Sequence, residues 1–317
     1  MNNDHPEHTF AVIGTGAIGG YYGAMLQRGG NTVHFLLRSD YDHVKNQGLI
    51  IESVAGNFIL ETVNAHFSPD TIPPCDVVLV TLKTTGNSIL PEILPRIVKK
   101  NGVVIIMQNG LGVEDNVAEM TGPEQVMGGL CFICAAKEGP GHIRHLDYGY
   151  ITLGDYSPDI AGAGISPRMD TIAQIFENAG ITIYRTGNLG LARWKKLVWN
   201  IPFNGLSVVL NATTKELVNN SDSHALVITL MEEVITGAAS CGYEIGPEII
   251  DQMIGSTESM IPYRPSMKID FDEKRPMEIE SIYAKPLDIA REHSQYMPSI
   301  AALHKELSFL ELRNRES

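Results

Sequence analysis

The chain has no run of about 18 apolar residues, the length a membrane-spanning helix requires, so no membrane partner is expected. It has no excess of positive charge either. The net charge is −13 over 317 residues, and binding a phosphate backbone needs clustered cations. Nucleic acid and anionic membranes are therefore disfavoured, while a small anionic ligand held by a few local positive groups is still allowed. The opening stretch MNNDHPEHTF lacks a basic segment followed by a long apolar one, so it is not read as a secretory signal. Four cysteines are too few for a disulfide framework in a chain of this length, and a reducing cytoplasm is the expected location. Two of them, Cys131 and Cys134, form a CxxC with His142 and His145 downstream. That pair lies in an apolar, strand-like stretch, and the histidine spacing fits no standard zinc frame. Structural cysteines are expected, with no metal.

What is present is an ordinary globular composition, 44% apolar and 19% charged, on a chain too long for one core. Two domains follow as the default. The run TFAVIGTGAIGGYYGAMLQRGGNTVHFLLR reads as strand, glycine turn, helix and strand. Residues 9 to 13 form the first strand, and Gly14-Thr-Gly16-Ala17-Ile18-Gly19 follows at once. Gly14 permits the tight turn, Gly16 lets backbone approach a pyrophosphate, and Gly19 allows close helix packing. The helix N-terminus then offers oriented N–H groups to phosphates. At the end of the second strand stands Arg38, where an acidic residue would hold the ribose hydroxyls of NAD and an arginine suits the 2′-phosphate of NADP. Arg38 thus favours NADP; Asp40, two residues later, keeps NAD open.

The alternation of strands and helices continues. Asp76 to Leu82 and Val103 to Met107 read as buried parallel strands, with a helix from about 87 to 100 between them. Lys83 and Asn109 follow these strand ends, where open α/β sheets bind ligands; a solvated lysine and an Asn-Gly turn are the plain alternatives. Residues 141 to 154 alternate like a hairpin, and a helix near 166 to 179 and a strand at 181 to 185 complete a mixed sheet. From 188 the periodicity is helical, over 189 to 211, 222 to 241, 247 to 260, 276 to 293 and 298 to 312. Ser221 or Asp222 is expected to cap the second of these, and Pro262 and Pro265 to open a polar interlude. The fold class is α/β: an N-terminal Rossmann-type doubly wound sheet over 1–187 and an all-helical C-terminal domain over 188–317.

One helix stands out. In WKKLVWNIPFN, residues 194 to 204, Lys196, Asn200 and Asn204 recur at i, i+4 and i+8 and share a narrow stripe. Apolar residues cover most of the remaining circumference, as on a buried helix, and Lys195 points away from the stripe. An ammonium and two amides in such surroundings need partners. A ligand supplies them better than a water-facing stripe would, and Pro202 is expected to bend the helix beside it.

With IGTGAIGG, Arg38, TLK ending at Lys83, QNG around Asn109, the WKKLxxNxxxN helix and PSMKID…MEIE at 265 to 280, the chain resembles the ketopantoate reductase (2-dehydropantoate 2-reductase) family over nearly its full length. The resemblance implies reduction of 2-dehydropantoate to pantoate with NADPH, a step towards pantothenate and coenzyme A. By it, Lys196 is the proton donor and Glu278 lies beside it and the cofactor. Asn109, Asn200, Asn204 and Ser266 hold the substrate. Gly14, Gly16, Ala17, Ile18, Gly19, Arg38, Lys83, Asn109, Ala136 and Glu278 line the NADP site, with Ala135 letting backbone approach. The implied partner is a small 2-oxo acid, and a homodimer is left open. Thr214 stands where some members carry a further substrate-binding Asn, and Ala284 or Lys285 where a Gly is common. These departures leave the acyl chain open, so another branched 2-oxo acid is an alternative substrate, and a non-catalytic NADP sensor the alternative without chemistry. The helix motif of 6-phosphogluconate and 3-hydroxyisobutyrate dehydrogenases is missing.

Overall fold

The computed structural model describes residues 8–260 and 264–316; residues 1–7 and Pro262, both considered above, lie outside them. Packing divides the chain into two compact units. One runs through Gln108 and resumes over Glu114–Leu189, and the other comprises Asn109–Val113 and Gly190–Ser317.

The first unit is built on a ten-stranded sheet. In chain order its strands are β1 (Thr9–Ile13), β2 (Thr32–Leu36), β3 (Leu49–Ser53), β4 (Phe58–Leu60), β5 (Asn64–His66), β6 (Cys75–Val80), β7 (Val98–Ile106), β8 (Val126–Gly139), β9 (His142–Asp155) and β10 (Ile183–Arg185). The accompanying helices are α1 (Ala17–Arg28), α2 (Tyr41–Gln47), α3 (Leu90–Ile97), α4 (Val113–Thr121) and α5 (Pro167–Asn178). β1 lies between β2 and β6 and is parallel to both; β5 continues beyond β2, and β7 and β8 beyond β6. Winding outward from β1 in both directions makes its carboxyl end a topological switch point, where such sheets receive ligands. Val77–Val80 and Val103–Ile106 are buried continuously, as expected of central parallel strands.

Two local expectations need correction. The helix expected over 87 to 100 is a 3-10 turn, Thr84–Ile89, followed by the short α3, and Val98 already pairs with Cys75 as the start of β7. Prolines explain its shortness: Pro91 sits in the first turn of α3 and Pro95 inside it. Residues 142–155 do not fold into a hairpin on themselves; they form the single strand β9, antiparallel to β8 along most of its length. The turn falls at the first residue of the stretch read as a hairpin, Gly141, whose φ of +66° suits glycine.

At the carboxyl end of β1, Gly14 has φ +98°, and a Cβ there would lie 2.4 Å from the Leu82 nitrogen. The N–H groups of Thr81 and Leu82 both donate to the Ile13 carbonyl, at 2.9 and 3.0 Å, and the Thr81 hydroxyl donates to the Gly14 carbonyl at 2.7 Å. The turn is thus sewn to the loop that follows β6. Gly19 lets α1 settle on this seam, since a Cβ there would come 2.3 Å from Thr81 Oγ1 and 2.4 Å from the Gly14 oxygen.

The second unit is helical: α6 (Leu189–Val209), α7 (Thr214–Asn219), α8 (Ser221–Ser240), α9 (Glu248–Ser259), α10 (Ser266–Asp272), a π-helical turn at Glu280–Ala284, α11 (Lys285–Glu292) and α12 (Pro298–Glu316). Its core gathers Trp194, Leu197, Val198, Ile201 and Phe203 of α6 with residues of the other helices, among them Val227, Met231, Tyr283 and Leu307. Asn220, not Ser221 or Asp222, caps α8, accepting from the N–H groups of Asp222 and Ser223. The polar stretch after Pro265 is partly helical, as α10, and the helix expected from 276 begins as the π-helical turn. Both are too short to carry a hydrophobic period.

Gly19→Ala is expected to lower stability by about 1–3 kcal/mol, because the new methyl meets backbone and a fixed hydroxyl rather than a movable side chain. A urea unfolding midpoint equal to that of the wild type would show that the seam yields.

Candidate active site

In the first unit the glycine turn opens directly into α1. Gly16 is the N-cap of α1, no side chain caps that end, and the first turn carries no acidic residue. The leading N–H groups of a helix have no intrahelical acceptor, and its dipole is positive there. A Cβ on Gly16 would meet nothing within 4 Å, so its glycine is not explained by internal packing. Open backbone beside an uncapped helix start suits a pyrophosphate. Ala17 and Ile18 form the first residues of α1.

Arg38 is exposed just past the end of β2, whereas Asp40 is only 6% exposed. The Asp40 carboxylate is occupied: Lys137 Nζ lies 2.5 Å from Oδ2, the Gly141 N–H donates to Oδ2 at 3.1 Å, and the Ser39 hydroxyl donates to Oδ1 at 3.0 Å. Burial opposes its ionisation, but Lys137, Gly141 and Ser39 outweigh burial and hold the carboxyl below its ordinary range. Asp40 is therefore an internal anchor between the end of β2 and the β8–β9 hairpin.

Lys83 is half-buried and stands at the N-cap position of the 3-10 turn after β6, one residue beyond the seam to Ile13. Ala136 is half-buried in β8, opposite Arg144. A polar link unforeseen from the sequence supports this rim. Gln108, 3% exposed, donates from Nε2 to the Leu82 carbonyl at 2.8 Å and to Asn87 Oδ1 at 2.6 Å. It joins the chain after β7 to the loop that carries Lys83. Its sequence signal is a lone amide closing an apolar strand.

The cysteines of the CxxC are both buried in β8, and Cys134 is pushed up to about 12 by burial and then by Asp147. His145 is engaged by the Ser53 hydroxyl at 2.8 Å and by the Asp147 and Tyr148 carbonyls, each at 3.1 Å. Among the described residues, no group of three or more His, Cys, Asp or Glu is placed to hold a metal, and no helix is long and apolar enough to cross a membrane.

The second unit collects the remaining candidates. On α6, Lys196, Asn200 and Asn204 are 8%, 5% and 2% exposed, while Lys195 faces solvent. At roughly 100° per residue the three occupy about 80° of arc. Asn204 Oδ1 accepts from the Met267 N–H at 3.3 Å, which fixes the amide against the first turn of α10 beside Ser266. Two ion pairs that the sequence did not announce brace that seven-residue helix. Lys268, 4% exposed, pairs with Asp272, and Asp270, 2% exposed, pairs with Arg275 at 3.1 Å.

Glu278 is 4% exposed and leads into the π-helical turn, accepting through its carbonyl from the Ile282 N–H at 3.3 Å. Asn109 follows a strand of the first unit but is grouped with the helical one. The Leu111 N–H donates to the Ser281 carbonyl at 2.9 Å, and at Gly110, φ +96°, a Cβ would lie 2.3 Å from that same oxygen. Only glycine lets the loop bearing Asn109 come this close. The loop therefore rests on the segment that bears Glu278. Neither the Asn204–Met267 bond nor this docking has a local sequence signature.

Comparison with known proteins agrees across both units. The ketopantoate reductase PanE/ApbA profile matches residues 10–158, and the profile for the C-terminal part of that family matches 188–311. The chain is similar to a 2-dehydropantoate 2-reductase of Nostoc sp., 52% identical over 98% of this chain and 97% of the relative. Among solved structures it is similar to 2-dehydropantoate 2-reductase from Geobacter metallireducens GS-15, with 39% identity, a TM-score of 0.91, and coverage of 95% of this chain and 99% of that one. The enzyme of the same name from Methylococcus capsulatus is 34% identical with a TM-score of 0.87, over 98% of each chain. With both its units matched, the chain belongs to the ketopantoate reductase family of oxidoreductases.

Proposed function

We propose that this protein reduces 2-dehydropantoate to pantoate with NADPH, a step towards pantothenate and coenzyme A. Residues 1–187 would hold the nucleotide and 188–317 the substrate. The observation that carries the proposal is the stripe of Lys196, Asn200 and Asn204, buried on a largely apolar helix in the unit that also holds Glu278, Ser266 and Asn109. Family membership and the close similarity to a 2-dehydropantoate 2-reductase support it.

The residues fit a nicotinamide dinucleotide. Gly14, Gly16, Ala17, Ile18 and Gly19 would receive its pyrophosphate at the start of α1, and Lys83 and Ala136 would line the groove. Arg38, exposed at the end of β2, suits the 2′-phosphate. Asp40 is tied up by Lys137 and Gly141 and so is a poor acceptor for ribose hydroxyls, which argues for NADP over NAD. Asn109 and Glu278 would face both cofactor and substrate.

When bound, the nicotinamide supplies the hydride that converts a ketone to an alcohol. What this chain must add is a place for the charge and proton at the ketone oxygen. The Lys196 ammonium would stabilise the developing alkoxide and give up a proton to it. The Asn200 and Asn204 amides would donate hydrogen bonds to the substrate along the same stripe, and Ser266 would take the carboxylate. Asn204 has its oxygen engaged by the Met267 N–H, so it would meet a ligand through its Nδ2 donors. Glu278 would keep Lys196 charged. A different branched 2-oxo acid is the second reading, favoured by Thr214. It is buried at the start of α7, at 1% exposure, where the family resemblance leads one to expect an amide in some members.

The direct test is NADPH consumption with a panel of 2-oxo acids. Turnover should be best with 2-dehydropantoate; a better rate with another acid would establish the second reading, and none with any would leave a sensor. Lys196→Ala should lower kcat by about 10²–10⁴-fold with the Kd for NADPH unchanged, and a retained kcat would remove the proton-donor role. Arg38→Ala should lower kcat/KM for NADPH by about tenfold to a hundredfold and leave NADH almost untouched. Equal losses would point elsewhere for the 2′-phosphate.

Asp40→Asn should leave the NADPH preference in place and lower stability at neutral pH. Its folded pKa is depressed, so its contribution is present above about 3.9, the unfolded value, and is lost as pH falls through the folded one. Wild type and variant should therefore converge in acid. A collapse of cofactor preference in Asp40→Asn would mean that the carboxylate reads the ribose after all.

A further inference from the structure

We propose that Tyr283 is a positioning residue for this site: its hydroxyl fixes the rung of α6 adjacent to Asn200 and Asn204 and joins it to the segment that bears Glu278. The inference rests on the function proposed above and names a residue to which that function assigns no role.

The need for such a device comes from Pro202. Proline has no N–H, so the Val198 carbonyl, one turn back, loses its usual donor. The ladder of α6 is interrupted in the middle of the Lys196–Asn200–Asn204 stripe, where small displacements matter most to a ligand. The next rungs must hold the amides still.

Tyr283 meets that need from outside the helix. It is fully buried, and its hydroxyl donates to the Ile201 carbonyl at 2.9 Å. Gly205, the other member of that helical rung, packs against the same phenol. Ile201 is next to Asn200 in the chain and Gly205 is next to Asn204. Residue 205 has to be small: a Cβ there would come 2.7 Å from the Tyr283 oxygen and 2.6 Å from Leu303 Cδ2. Burial pushes the phenol well above its ordinary pKa, so it stays a donor at any working pH.

The other end of the link is the π-helical turn Glu280–Ala284. Such turns carry an extra residue and recur at functional sites. Within this one, Ser281 receives the Asn109 loop through its carbonyl, and Tyr283 grips α6. Five residues thus set the positions of Asn109, Glu278 and the two amides of α6 relative to one another.

The test uses the full-length protein. Tyr283→Phe removes the hydroxyl alone. Gly205→Ala displaces it by contact while leaving Tyr283 in the sequence. Both should raise KM for the 2-oxo acid about tenfold, the value of one net hydrogen bond, with kcat falling less and the Kd for NADPH unmoved. A tyrosine that merely fills the core would lower Tm and leave KM and kcat at wild-type values well below melting, and that result would overturn the proposal. If Tyr283→Phe does not fold, Gly205→Ala decides by the same readings. Wild-type protein that turns over no 2-oxo acid would instead bring down the proposed function, and this inference with it.

Discussion

A cation and two amides on one nearly apolar helix dominate the physics of the helical unit. Lys196, Asn200 and Asn204 are all under 10% exposed, and buried polar groups destabilise a fold unless each finds a partner. Much of the surrounding architecture is arranged around that requirement. Asn204 is met by the backbone of α10, and α10, too short to persist alone, is braced by the Lys268–Asp272 and Asp270–Arg275 pairs. Replacing such groups with packed hydrocarbon is commonly neutral or stabilising. The function proposed above would give them a reason to be there.

The first unit solves the opposite problem by leaving groups open. At the start of α1 there is no cap, no acidic side chain and no Cβ on Gly16, so N–H groups stay available to an anion. The seam from Thr81 and Leu82 to Ile13 and Gly14 keeps that opening rigid. The same economy extends to charge, because Asp40 is neutralised inward by Lys137 while Arg38 is turned outward. A chain of net charge −13 thereby keeps a local patch fit for phosphate.

Features with a short period or a fixed spacing were legible in the sequence. The glycine turn of residues 14 to 19 is one, since turn, close approach and packing each demand glycine at a set offset. The stripe on α6 is another, because a helical period turns spacing into direction. Features set by distant partners were not legible. The ion pair of Asp40 with Lys137, about a hundred residues later, is one. Asn109 does follow the end of a sheet strand, but nothing local announces that Gly110 docks its loop on Ser281. The π-helical turn and α10 carry too few residues to show a period, and β9 alternates as half of a hairpin would, so only its pairing with β8 reveals its length.

The central claim is that the ammonium of Lys196 delivers the proton to a 2-oxo acid. Its most direct test is chemical rescue: turnover of Lys196→Ala measured with added primary amines small enough to enter the space left by the side chain. The account predicts a rate that rises with amine concentration and depends on the pKa of the amine, as for a transferred proton. A variant that turns over at the wild-type rate without amine would contradict it.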